Sequence, residues 1–275
     1  MILTPAERKR YEANIEWWKE RKAKEQDTLN NKGIKATERQ LKYYYQDTMF
    51  KVIEDFENVY LKVITNIAEG KTATPADLYK LDSYWKMQAQ LAAELEKLGD
   101  KQVKWISKNF TEHYQTAYQT ALPAGSAFSQ ISTETAEQMI MSVWCADGKT
   151  WSDRVWSNTN KLRQELNKGL IDCVITGKPT SVLKKDLMDK FGVSFTRADS
   201  IVRTEYAHIQ TQAAQKRYKD AGIKQVEVWA DPDERTCDIC GKLHEQKFPV
   251  NGQMPLPAHP RCRCRIIPVI EEEEE

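Results

Sequence analysis

Four of the six cysteines and two of the four histidines fall within 28 positions, and His259 stands beside the second cysteine pair: Cys237-Asp238-Ile239-Cys240, eighteen residues that include His244, then His259-Pro260-Arg261-Cys262-Arg263-Cys264. A C-x2-C pair folds into a tight knuckle that aims two sulfurs at one point. The later His-x2-Cys-x-Cys run can supply the remaining corners of a tetrahedron, with Zn–S near ~2.3 Å and Zn–N near ~2.0 Å. Cys237, Cys240, His259, Cys262 and Cys264 are five candidates for four places, so one is spare or lies just outside the metal shell. The cofactor this predicts is a structural zinc ion.

Other chemistry fits the same residues. Four neighbouring cysteines can form two disulfides, and Cys237/Cys240 can act as a redox pair. Disulfides need an oxidising compartment, and Met1–Tyr11 has no apolar segment of the kind that directs export. A redox C-x2-C opens a helix, whereas Asp231–Arg235 before this one and Gly241 after it read as a turn. Cys145 and Cys173 have no such company and read as small core residues.

Around the cluster lie six Lys/Arg (Arg235, Lys242, Lys247, Arg261, Arg263, Arg265) against Asp238 and Glu245. Arg261 and Arg263 alternate with cysteines, so in extended chain they point away from a metal. With Arg265 they are the candidate contacts to DNA phosphate or to a partner's carboxylates. Arg203 and Glu205 read as a structural ion pair tying the last long helix to the cysteine module, because a planar guanidinium suits such a joint. His244 is a possible substitute ligand, and His208 and His113 read as ordinary surface or core histidines. No H-E-x2-H metalloprotease pattern is present, and thiols fill the shell that a catalytic zinc leaves open. We therefore expect no enzymatic activity.

The elements that must position these residues are mostly helical. Thr4-Pro5-Ala6-Glu7 combines a cap, a proline at the first helical position and a glutamate. The helix it opens is expected to run to about Thr28 and stop at Asn30–Gly33, with Tyr11, Ile15 and Trp18 as a narrow docking stripe. A second is expected from Thr37 to Glu69, a third from Thr74-Pro75 to Leu98 with Gly99 as its stop, and a fourth over 101–122, ended by Pro123-Ala124-Gly125. Ser132 starts a shorter helix broken at Asp147-Gly148, and a further one leads from Trp151 to Gly177. Two more are expected over 180–191 and 195–221, the latter stopped by Gly222. Then the period changes to two: Val226, Val228 and Ala230 mark a strand, Phe248–Val250 a second and Arg265–Ile270 a closing one. The fold expected is mainly α, with a helical N-terminal and central region and a small zinc-bound β-containing module (α+β). The net charge is +1, and Glu271–Glu275 read as a solvated acidic tail that offsets a basic remainder. No apolar stretch approaches the ~20 residues of a membrane span, so no membrane anchor is expected.

Trp151-Ser152-x-Arg154-Val155-Trp156, Arg203-Thr204-Glu205, Trp229, Asp233-x-Arg235-Thr236-Cys237-x2-Cys240, Leu243 and Pro257-x-His259-Pro260-x-Cys262-Arg263-Cys264 occur in this order. The set resembles the phage Mu F-like minor head (head morphogenesis) protein family of tailed bacteriophages, over about residues 140–270. The resemblance implies a virion component inside the phage head, made in the host cytoplasm and engaged in capsid assembly. Portal protein and major capsid or scaffolding protein are its implied partners, with double-stranded DNA and its ejection a further possibility. The alternative is a nucleic-acid-binding zinc protein acting on phage DNA. Relatives with fused ADP-ribosyltransferase domains need Arg, Ser-Thr-Ser and Glu-x-Glu elements on strands, which the first 130 residues lack. The expected organisation is a helical interaction region over 1–130, the helical part of the family domain over 131–222, the zinc module over 223–270 and the tail over 271–275.

Overall fold

The computed structural model describes residues 15–66, 73–122, 130–231 and 233–269. The Thr4 cap, the Pro123–Gly125 stop and the acidic tail lie outside the described residues. Seven helices and three strands follow one another among those described: α1 Ile15–Thr65, α2 Pro75–Tyr79, α3 Asp82–Thr120, α4 Thr133–Ile140, α5 Trp151–Thr176, α6 Thr180–Asp220, β1 Gln225–Trp229, α7 Asp238–Leu243, β2 Lys247–Pro249 and β3 Arg265–Val269. The protein is mainly α with one small C-terminal sheet, as its residue pattern predicts.

Three expected breaks are absent. α1 passes through Asn30–Gly33, α3 through Gly99 and α6 through Gly192. A Cβ at Gly33 would fall 2.6 Å from Tyr206 Cε1, and one at Gly99 would collide with the Trp156 indole. These two glycines are therefore seats for aromatic rings, not helix stops, and they forgo a side chain where a neighbour comes too close for one. Thr74 does form a reciprocal capping box with Asp77, but the helix it opens is only Pro75–Tyr79. Thr150 and Asp153 form a second box at the start of α5, and Gly177 closes that helix at φ 58°.

The chain divides into two compact units. Within the described residues, one is made of the chain up to Thr37, Ile106–Trp144 and the chain from Ser200; the other is made of Glu38–Trp105 and Cys145–Asp199. In the second unit, Leu41, Tyr45, Val52 and Phe56 of α1 are buried, as are Leu162, Leu166 and Leu170 of α5 and Leu187 and Phe191 of α6. Asn158 there donates to the Ser194 carbonyl at 2.9 Å and to Tyr45 Oη at 3.1 Å. Burial pushes the Tyr45 phenol up to about 12, against the bonds from Ser194, Gln102 and Asn158.

In the first unit, the strands lie in the order β2-β1-β3, all antiparallel, with Val226 opposite Phe248 and Pro268 and with Trp229 opposite Arg265. Val226, Val228 and Ile266 join Ala214, Tyr218, Leu256, Cys240, Cys262 and Cys264 in one apolar cluster. The other face of the sheet takes the start of α1. Trp229, 7% exposed, packs with Ala23 and Ile267. Lys19 Nζ pairs with Glu227 Oε1 at 2.9 Å. α1 therefore docks on the Cys/His module of its own chain, alongside α6, whose Gln215 donates to the Val250 and Gly252 carbonyls, each 2.8 Å.

Candidate metal centre

The C-x2-C knuckle is helical, not the plain turn its flanks suggest: Cys237 is the N-cap of α7, and Cys240 sits buried within it. Asp233, next to the knuckle, organises its approach. The Thr236 amide donates to the Asp233 carbonyl at 3.0 Å and the Arg235 amide to Oδ1 of Asp233 at 3.0 Å. From the other side, the Cys262 amide donates to the His259 carbonyl at 3.1 Å, curling the second run so that His259 and Cys262 face the knuckle. The Arg261 backbone amide reaches Thr204 Oγ1 at 3.0 Å, fixing that curl to α6.

All five sequence-derived candidates come together. Cys237, Cys240 and His259 form one triad of donor atoms within 4.8 Å of one another; Cys240, Cys262 and Cys264 form a second. Cys240 is the shared member. His259 Nε2 lies 3.3 Å from Cys237 Sγ and 3.1 Å from Cys240 Sγ, and Cys240 Sγ lies 3.7 Å from Cys262 Sγ. A tetrahedron with the zinc bond lengths has S–S edges of ~3.8 Å and S–N edges of ~3.5 Å. The observed S–S edge matches and the S–N edges fall slightly inside. The residues fit a closed tetrahedral metal site.

The protonation pattern of the cluster follows from its crowding. His259 Nδ1 lies 2.8 Å from the Pro260 carbonyl. A carbonyl can only accept, so Nδ1 carries the proton and the Nε2 lone pair faces the sulfurs, the tautomer a metal needs. The backbone bond to Pro260 also raises the His259 pKa. Among the thiols, the bond from Cys264 pulls Cys262 down to about 5, while Cys264 itself is pushed far up by giving that bond. Burial pushes Cys240 up to about 12. Cys237 makes no side-chain cap bond, yet the nearby Cys240 amide still lowers its pKa. Four thiols this close share protons reluctantly, and a dication in their midst would resolve the conflict.

The three arginines part company. Arg261 is exposed. Arg263 grips Asp233 with both nitrogens. Arg265, the expected outward contact, is instead 3% exposed: it donates to the Ala23 carbonyl and pairs with Asp231, with Asp27 at 3.8 Å. The first residue of β3, it shares a face with Ile267 and with its cross-strand partner Trp229, and period-two alternation turns that face towards α1. Glu205 is buried and accepts from Trp144 Nε1 at 3.0 Å, while Arg203 is half-buried. Trp144 also stacks on His208, 4.2 Å between centroids. His244 is not among the clustered donors; its Nδ1 accepts from the Ala230 amide at 3.3 Å, and its ring meets the Trp229 edge. The roles of Trp144, Asp231 and Asp233 had no signal in sequence spacing, because their partners are far away along the chain or are backbone groups.

No helix among the described residues is long and apolar enough to cross a membrane. No curated protein and no solved structure shows significant similarity to the chain. The family model described as phage Mu protein F like protein matches residues 164–267, a segment that holds every member of the Cys/His cluster. Over these residues, rather more than a third of its length, the chain carries a segment similar to the phage Mu protein F like family.

Proposed function

We propose that this protein is a structural minor component of a phage head, that it sits with the portal or inner capsid during assembly, and that zinc closes its C-terminal module. The observation that carries the reading is the inclusion of the whole Cys/His cluster within the matched domain, on a sheet too small to hold itself together. Three short strands bury little apolar area on their own, so metal binding there contributes directly to folding. The site is a clasp, not a reaction centre: four of the five donors are thiols, and no carboxylate stands among them to act as base. Portal, major capsid or scaffolding protein are the partners this role calls for, with the virion interior as its destination and the host cytoplasm as the place of assembly.

Binding to packaged DNA is the weaker alternative. Of Arg261, Arg263 and Arg265, one is buried and one is engaged by Asp233. Affinity purification from infected cells distinguishes the two. Recovery of a portal ring that survives high salt supports the structural reading, whereas DNA-dependent recovery that collapses with salt supports the other. Nuclease or transferase turnover lost on changing one polar residue of the module, with folding intact, overturns the non-catalytic assignment.

A further inference from the structure

The second unit contains a helix with two apolar sides. At about 100° per residue, Tyr45, Val52, Phe56 and Val63 of α1 share one side, and all four are buried. Tyr43, Phe50, Leu61 and Ile64 fall within about 60° of one another on the opposite side. They are 60%, 68%, 45% and 38% exposed. Scattered exposed apolar residues are ordinary. Four large ones aligned over ~30 Å of a single helix are a docking face. Tyr43, Phe50 and Ile64 stand seven or fourteen residues apart, and Leu61 three before Ile64, which is the spacing of a coiled-coil seam.

Charge identifies the occupant. The seam positions between these apolar residues are Asp47, Glu54 and Glu57, with no lysine or arginine among them. Asp47 is answered by Lys51 at 3.0 Å and Lys101 at 3.6 Å. Glu54 and Glu57 form no ion pair among the described residues. Beside them, burial and then the charges of Glu54 and Glu94 raise the Asp55 carboxyl. A second copy of the same face would set acid against acid across the seam. A basic partner would relieve it.

The geometry points to the outward face of α1 between Tyr43 and Ile64 as a docking site for an amphipathic helix of another protein, apolar at heptad spacing and flanked by lysine or arginine. This face lies away from the Cys/His cluster in sequence and does not need the metal.

The test uses the full chain and two labelled peptides of about 20 residues, enough to span ~30 Å as a helix. Both carry leucine at the seam positions; one has lysine and the other glutamate at the flanking positions. Fluorescence anisotropy should show binding of the lysine peptide, weakened at least about ten-fold by Phe50→Ser with Leu61→Ser. Glu54→Lys with Glu57→Lys should shift the preference to the glutamate peptide. Circular dichroism unchanged from the parent chain establishes that each variant is folded. Failure of the parent to bind the lysine peptide, equal binding of both peptides, or indifference to the Phe50/Leu61 changes overturns the proposal. Self-association of the parent that Phe50→Ser abolishes also overturns it, and assigns the face to a second copy. None of these outcomes bears on the role in the head, which particle incorporation measures separately.

Discussion

The Arg263 guanidinium binds the Asp233 carboxylate with two parallel bonds, Nη1 to Oδ2 at 2.8 Å and Nη2 to Oδ1 at 2.6 Å. This fork joins the loop before the first cysteine pair to the segment that carries the second, and it holds the Asp233 carboxyl well below the usual carboxylate range. It also neutralises an arginine that alternation alone would offer to phosphate. Asp233→Asn should therefore raise non-specific DNA affinity and steepen its salt dependence. A filter-binding series across salt concentrations that shows no gain would mean Arg263 is not withheld by Asp233.

Metal content should be about one zinc per chain. Because Cys240 belongs to both donor triads, Cys240→Ser should cost more metal than Cys237→Ser or Cys264→Ser, each of which leaves a triad complete. Elemental analysis of the purified variants under reducing conditions checks the order. Equal losses from all three would refute Cys240 as the shared ligand.

Trp229 should report the metal. It is buried against Ala23 and Ile267, with its edge on His244, 5.0 Å between ring centroids. Chelation should move its emission towards that of a water-exposed indole and expose the chain after Gly222 to protease. Trp229→Phe separates this signal from the other seven tryptophans. Unchanged protease protection after chelation would show that something other than the metal holds the sheet.

His113 sets an acid limit. Burial lowers its pKa from 6.5 to about 3, against the smaller upward influence of Gln210. Its edge contact with Tyr206, 4.8 Å between centroids, leaves it in an aromatic setting. The folded form holds the imidazole neutral, while the unfolded chain takes up a proton below pH 6.5. Stability attributable to His113 is thus fully present above pH 6.5 and is lost as pH falls towards 3, at up to ~1.4 kcal/mol per pH unit. Urea titrations at pH 7 and pH 5 should show a smaller acid loss for His113→Phe than for the parent. Parallel losses would place the acid sensitivity elsewhere, the thiol cluster included.

Glycine substitutions should differ in sign. Gly192→Ala meets open space inside α6 and should stabilise by up to ~1 kcal/mol through helix propensity. Gly33→Ala and Gly99→Ala gain the same propensity but strike the Tyr206 and Trp156 rings, and both should destabilise. Thermal melts of the three variants decide this.

These glycines also mark where sequence reading reached its limit. Asn30-Asn31-Lys32-Gly33 carries the same local signal as a helix stop, and the ring that makes Gly33 a packing position lies about 170 residues further on. The cysteine cluster was legible because its ligands announce themselves by short spacing, and capping at Thr74 is equally local. Arg265 was not legible: period two shows only that it faces one side of the strand, and only the fold supplies Ala23, Asp27 and Asp231 on that side. The helical knuckle was missed because a six-residue helix with Gly241 inside it gives almost no periodic signal.

The seating of β3 on α1 has a bearing on how the chain is made. Lys19, Ala23 and Gln26 are among the earliest described residues to leave the ribosome, and Glu227, Arg265 and Ile266 among the last. Synthesis runs from the N-terminal end, so the start of α1 waits through the synthesis of 208 further residues before the Lys19–Glu227 contact can form. Contacts separated by more than 200 residues close slowly. Until then Ala23 stands uncovered by the sheet, and a nascent chain halted before Cys262 would present that helix surface, together with half-assembled thiols, to the chaperones of the cell.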